Sequence, residues 1–152
     1  MEAARLIDVT RRALAQARAV QDIVVEAWQA QALAEAVGSH LAVHGPFEAR
    51  AAARGLSEAG GRASGALHRT ALRAGGLRAA QLTEVHDPWA VLAALGELLG
   101  EVGIALVGVA CVCEEDAVYW QCIEGIDAAD ETTDRIGGLL RRLALRERGG
   151  AA

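Results

Sequence analysis

A handful of residues in this chain have the types and spacing to do chemistry. His40 and His44 lie four residues apart, so on a helix both imidazoles project from one face, a spacing that can hold a metal. A metal needs a further ligand, which Glu97 or Glu101 supplies only where their helix meets the histidines. No Glu-x-x-His pair occurs, so the di-iron carboxylate pattern is missing. Two histidines at a helix C-terminus are also what the helix dipole favours, and the expectation is no bound metal and no cofactor. Glu97 and Glu101, again four apart, can act as an acid–base pair or bind a cation. As like charges on one face they repel and call for a neighbouring cation, Arg62 or an arginine of the first helix.

Cys111, Cys113 and Cys122 flank a turn. Cys122 is expected level with Cys111 across a helical hairpin, but helix axes 8–10 Å apart make a disulfide awkward, because the α-carbons must approach to about 5.5–6 Å. Buried, reduced thiols are the expectation. The run Gly-Gly-Arg-Ala-Ser-Gly at 60–65 lacks the Gly-Lys-Ser/Thr ending of a phosphate loop, and no Ser-His-Asp elbow is visible. Trp28, Trp89 and Trp120 are three of the five aromatic residues, and Trp89, at a helix start, suits a groove or the end of a core.

The elements that position these residues are helices. The chain turns on Asp87–Cys113, where Asp87 and Pro88 are a start signal: the carboxylate caps and the proline fits the first turn. Leu92, Leu95, Leu99, Val102, Leu106, Val109 and Cys113 then form one apolar stripe, while Gly96, Gly100, Gly103 and Ala110 form a second, small face. This predicts the central helix of a bundle, covered over most of its circumference. It does not predict a membrane span, because Glu97 and Glu101 interrupt it and Glu114, Glu115 and Asp116 follow it.

Before it, residues 2–20 predict an amphipathic helix with Leu6, Ile7 and Leu14 inside, and 23–44 a second with the seam Ile23, Ala27, Ala30, Ala34, Val37, Leu41, His44. A third begins near Phe47 and is expected to break at Gly60-Gly61 and Gly65. Residues 69–86 are expected to be a mobile loop, with a helical turn at Leu77–Leu82. The last helix, 117–148, has the seam Tyr119, Ile123, Ile126, Ala129, Thr133, Ile136, Leu140, Leu143, with acid early and base late along the dipole.

Composition narrows the class. At 152 residues the chain is one domain by expectation, 53% hydrophobic but only 3% aromatic, so its core is built from Ala, Leu and Val. All 15 basic residues are Arg, and the net charge of −5 gives no pull towards nucleic acid or anionic lipid. Three cysteines without an export signal predict a reducing, cytoplasmic setting.

Taken together, EAARLI, EAWQAQALAEAVGSHL, RGLSEAGGRASG, RAAQLTEV, LLGEVGIALVGVAC and YWQCIEGIDAADE resemble a family of small helical proteins from Streptomyces and related actinobacteria, a domain of unknown function. The resemblance spans nearly the whole chain. It implies a single domain and brings no catalytic residues with it.

The expected architecture is all-α: four main helices, one broken by Gly, with short extra segments. The expected function is a non-enzymatic cytoplasmic interaction protein, homodimeric because each helix carries an apolar stripe and the central one carries two faces. The alternative is a small-molecule binder or enzyme with a pocket between helices near Trp28, His40 and Glu97, with His44 and Glu101 beside it.

Overall fold

The computed structural model of the chain describes residues 1–71 and 76–151. These form five α-helices, α1 (Ala3–Gln16), α2 (Val20–His44), α3 (Arg50–Ala71), α4 (Pro88–Val112) and α5 (Asp116–Ala151), with short 3-10 turns at Phe47–Ala49 and Arg78–Gln81. The all-α expectation holds. Two helix starts, those of α4 and α1, are capped by side chains. Asp87 accepts a hydrogen bond from the Ala90 N–H at 3.2 Å with Pro88 in the first turn, and Glu2 accepts one from Ala4 at 2.9 Å.

The third helix does not break. It runs unbroken through Gly60, Gly61 and Gly65, and the reason is proximity. A β-carbon at Gly60 would sit 2.6 Å from the Glu35 nitrogen and 2.7 Å from the Gln31 carbonyl oxygen, and one at Gly38 would sit 2.6 Å from the Ser57 nitrogen. Glycine at these positions lets α2 and α3 touch backbone to backbone. The packing of a whole helix pair offsets the roughly 1 kcal/mol of propensity each glycine costs. Glycine here marks a contact, not a hinge.

The expected centre also moves. α2 contacts every other α-helix and the Arg78–Gln81 turn, and nine consecutive residues from Glu26 to Ala34 are buried. Its alanines let neighbours approach from every side. α4 contributes the stripe Leu92, Leu95, Leu99, Val102, Leu106 and Val109 to the core as expected, joined by Val91 and Leu98. Its opposite side is open: Gly100 and Gly108 are exposed, and a β-carbon on Gly100, Gly103 or Gly108 would meet nothing within 4 Å. On α5 the buried line is Cys122, Ala129, Thr132, Ile136, Leu139 and Leu143. The expected seam is therefore rotated: Ala129, Ile136 and Leu143 are buried, Ile123, Ile126, Thr133 and Leu140 are half-buried, and Tyr119 is exposed. α5 leans on both α3 and α4, so its buried arc is centred between the two.

Two buried polar contacts index the helices. Thr132 Oγ1 lies 2.9 Å from Gln31 Oε1 and 2.9 Å from the Ala128 carbonyl, so its one proton is shared between an α2 side chain and its own helix. The second contact ties down a strap. Of the expected loop 69–86, residues 72–75 lie outside the described residues, while α3 extends to Ala71. The helical turn expected at Leu77–Leu82 is present as the 3-10 turn Arg78–Gln81. From it Arg78 reaches Glu26 of α2 through two hydrogen bonds, 2.5 and 2.8 Å, and Thr10 of α1 at 3.3 Å. The Arg78 backbone N–H donates to Gln29 Oε1 at 2.9 Å, and Gln29 Nε2 donates to the Gly76 carbonyl at 3.2 Å. The strap's far end pairs with the start of α1, with Ala3 N–H donating to the Glu84 carbonyl at 3.0 Å.

Two stability measurements check this account. Gly60→Ala is expected to lower the unfolding free energy by about 1–3 kcal/mol, because backbone rather than a yielding side chain meets the new methyl. Gly100→Ala, in open space, is expected to raise the stability of the single chain by up to about 1 kcal/mol. Separately, Arg78→Ala leaves the buried Glu26 carboxylate without its fork and is expected to cost about 2–3 kcal/mol in denaturant unfolding.

Candidate functional site

Trp28 and His40 are twelve residues apart on α2, about 18 Å along the axis at 1.5 Å per residue, so they do not line one pocket. Trp28 is buried in the core. Glu97 and Glu101 are occupied elsewhere. Arg11 of α1 spans them, with Nη2 2.7 Å and Nε 3.3 Å from the two Glu101 oxygens and Nη1 3.4 Å from Glu97. The hydrogen bond and charge of Glu101 hold the Arg11 guanidinium above its ordinary value, with Glu97 adding to them. The repelling pair is thus reconciled by an arginine of the first helix, one of the two partners its spacing allowed, while the other, Arg62, meets Glu131 at 2.6 Å. A carboxylate pair bridged by one guanidinium holds α1 on α4; its exposed geometry gives it little acid–base advantage.

His40 and His44 do share a face at the end of α2, their ring centroids 4.8 Å apart. His40 is half-buried and His44 exposed. Burial pushes His40 below its ordinary value, and the neighbouring His44 adds to the effect. Among the described residues no group of three or more His, Cys, Asp and Glu is arranged to hold a metal.

The cysteines separate. Cys122 is buried, Cys113 half-buried and Cys111 exposed. Burial pushes the Cys122 thiol up, and the Cys113 thiol adds to the effect, so Cys113 rather than Cys111 is the one across the hairpin. The expectation of a buried thiol holds for Cys122 and fails for Cys111, which lies on the outer side of α4.

That outer side is the feature the sequence stripe alone does not reveal. Ile104 is 75% exposed and Val112 77%, with Val107 and Cys111 also exposed between them. Two clefts flank Ile104. One, about 510 Å³, lies against α1 between Leu14, Ala15, Arg12 and Ala105. The other, about 350 Å³, lies against α5 between Gly100, Gly103, Val107, Ile126 and Thr133, with Asp130 at its edge. Trp120, 61% exposed, and Tyr119 continue the apolar surface past the turn. The signal is present in the sequence as a second, small-residue face of α4; what the sequence does not show is that among the described residues no other helix covers it. The arrangement offers a ridge between two grooves and no convergent set of nucleophile, acid and base.

A family model matches residues 1–142, and its description is a family of unknown function, DUF6099. The chain belongs to that family. No curated protein and no solved structure matches it.

The histidine geometry has a direct readout. In an NMR titration the His40 midpoint is expected below 6.5. His44→Gln removes the neighbouring charge and is expected to move the midpoint part of the way back up. Because the folded-state value is the lower one, the unfolded chain takes the proton first. The stability His40 contributes is therefore full above pH 6.5 and declines as pH falls from there towards the folded midpoint. An unshifted midpoint would place His40 in bulk water.

Proposed function

We propose that this chain is a non-enzymatic interaction protein of the cytoplasm that works as a homodimer, with the outer side of α4 as the contact. The observation that carries the reading is the uncovered apolar arc from Gly100 to Val112. A helix of a monomer needs one buried stripe, and α4 has that stripe on its inner side. Fully burying a side chain such as Ile104 or Val112 is worth about 1.5–3 kcal/mol, so leaving both in water is a cost that a second copy removes. The open Gly100 and Gly103 give a facing backbone room to approach. Ile104 stands between the two grooves at the centre of the arc, so a two-fold axis through the arc brings it against its own copy. A stable interface of this kind buries more than about 1,000 Å² in total. Within each chain, α2 to α5 make up the four longer helices of the bundle, with α1 and the strap laid against it.

The same arc raises a membrane reading. Among the described residues α4, with a mean hydropathy of 2.0 over its most apolar window, is long and apolar enough to cross a bilayer. Against that reading, the inner side of α4 is the spine of the core, and extracting it would expose Leu95, Leu98, Leu99 and their partners. Glu97 and Glu101 also lie within the helix, bound to Arg11. We place the chain in water and away from nucleic acid, the latter because its net charge is −5.

Sedimentation or light scattering at tens of micromolar is expected to give twice the 15.8 kDa chain mass. Ile104→Glu is expected to return the chain to the monomer mass while the far-ultraviolet helix signal is unchanged. A wild-type monomer across that range would sink the proposal.

A further inference from the structure

The charges beside the two clefts fix how the second copy docks. Successive residues on a helix are about 100° apart. Taking Ile104 as the centre of the exposed arc, Glu101 and Ala105 turn towards α1, whereas Gly100 and Val107 turn towards α5, matching the linings of the two clefts. The arc therefore has an α1 bank and an α5 bank. On the α1 bank stand Arg11 and Arg12, with Asp8 and Glu101, the last already held by Arg11. On the α5 bank stands Asp130, exposed and in no ion pair among the described residues, with Asp127 and Asp134 exposed nearby on the same helix. Arg12 has a 75% exposed side chain and its ion pair among the described residues is with Asp8, 2.9 Å away in an i,i+4 surface pair. Such a pair contributes little and exchanges easily. Both clefts include Ile104, so Arg12 and Asp130 stand on opposite banks of the same stretch of α4.

A two-fold axis between facing surfaces must lie in the plane of contact. If it runs across α4, the two copies of α4 are antiparallel and each bank meets its own copy, Arg12 against the partner's Arg12 and Asp130 against the partner's Asp130. If it runs along α4, the helices are parallel and each bank meets the opposite one. Like charges across an interface are penalised, and opposite ones fix register.

We propose that the second copy docks with the two-fold running along α4, so that the helices are parallel and Arg12 of each chain meets the partner's Asp130. This arrangement rests on the homodimer reading above. It brings the exposed residues nearest the axis, Ile104 and Cys111, against their own copies. Glu97, which the same symmetry places opposite the partner's Glu97, carries its own counter-ion, because Arg11 lies 3.4 Å away. In the antiparallel alternative, centred on Ile104, the two Cys111 α-carbons are offset by fourteen residues, about 21 Å along the axis.

The test has two arms, each read on the full chain. In the first, Arg12→Glu and Asp130→Arg are each expected to weaken the dimer about tenfold at low salt, and the double variant, which restores the pair with its sign reversed, is expected to recover wild-type affinity. In the antiparallel dimer each single variant only exchanges one like-charge meeting for another, so affinity stays unchanged. In the second arm, Cys113→Ser leaves Cys111 as the accessible thiol, because Cys122 is buried. A short bismaleimide is then expected to give a covalent dimer that disappears in a Cys111→Ser background. A dimer that resists crosslinking, or whose affinity ignores the single charge reversals, overturns the parallel arrangement and leaves the homodimer standing. A wild-type chain that stays monomeric overturns both, and one that is monomeric yet sediments with phospholipid vesicles assigns the α4 surface to a membrane instead.

Discussion

The backbone contact between α2 and α3 is the constraint from which the rest of the architecture follows. Gly38 and Gly60 stand where any side chain would collide with the neighbouring main chain at 2.6 Å. Two helices that close favour small side chains, and the buried apolar residues of this pair include Ala27, Ala30, Ala34, Ala53 and Ala59 alongside Leu33 and Leu56. Alanine buries little area, so the bulk of the apolar volume has to come from another element. α4 supplies it, with Leu92, Leu95, Leu98, Leu99 and Leu106. The division of labour explains how a chain with five aromatic residues closes a core at all.

Helices that meet through small residues gain close packing but few long side chains to hold their neighbours in place, and ionic forks take over that task at the periphery. Arg11 bridges α1 to two carboxylates of α4, and Arg78 bridges the strap to Glu26 with Thr10 alongside. Both use arginine, whose planar fork meets both oxygens of a carboxylate at once, a geometry an ammonium does not reproduce. The second is the more buried of the two, and with the Ala3–Glu84 backbone bond it connects the α1–α2 layer to the segment leading into α4.

What the residues revealed in advance follows from which signals are local. The cap at Asp87, the Leu and Val stripe of α4, the alanine seam of α2 and the helical turn at Leu77–Leu82 depend on neighbours a few positions away, and the structure reproduces them. Gly60-Gly61 misleads because glycine has one local meaning, a weakened helix, and one tertiary meaning, close approach, and the tertiary one prevails here. The grouping of Trp28, His40 and Glu97 fails for a related reason: the types suggest a site, but twelve residues of helix separate the first two and Arg11 has taken the third. Spacing around the turn sets Cys122 level with Cys111, whereas Cys111 lies exposed on the outer side of α4 and Cys113 is the thiol that acts on Cys122. The glutamate pair needs a neighbouring cation, a requirement that is electrostatic and legible in the sequence, whereas the choice of Arg11 over Arg62 is set by the packing of α1 on α4.

The Gln31–Thr132 contact has a mechanical meaning as well as an energetic one. Surfaces lined with methyl groups are smooth; a helix can slide or roll along them at small cost, because every position resembles the next. Gln31 and Thr132 are both buried, and their hydrogen bond forms at only one setting of α5 against α2. Shift α5 by one turn and the buried Gln31 amide oxygen loses the hydroxyl proton, at a cost of about 1–3 kcal/mol. The pair acts as a detent. It gives an otherwise slippery bundle one preferred notch, and with it a fixed rotation of α5, the helix that forms one wall of the groove beside Ile104.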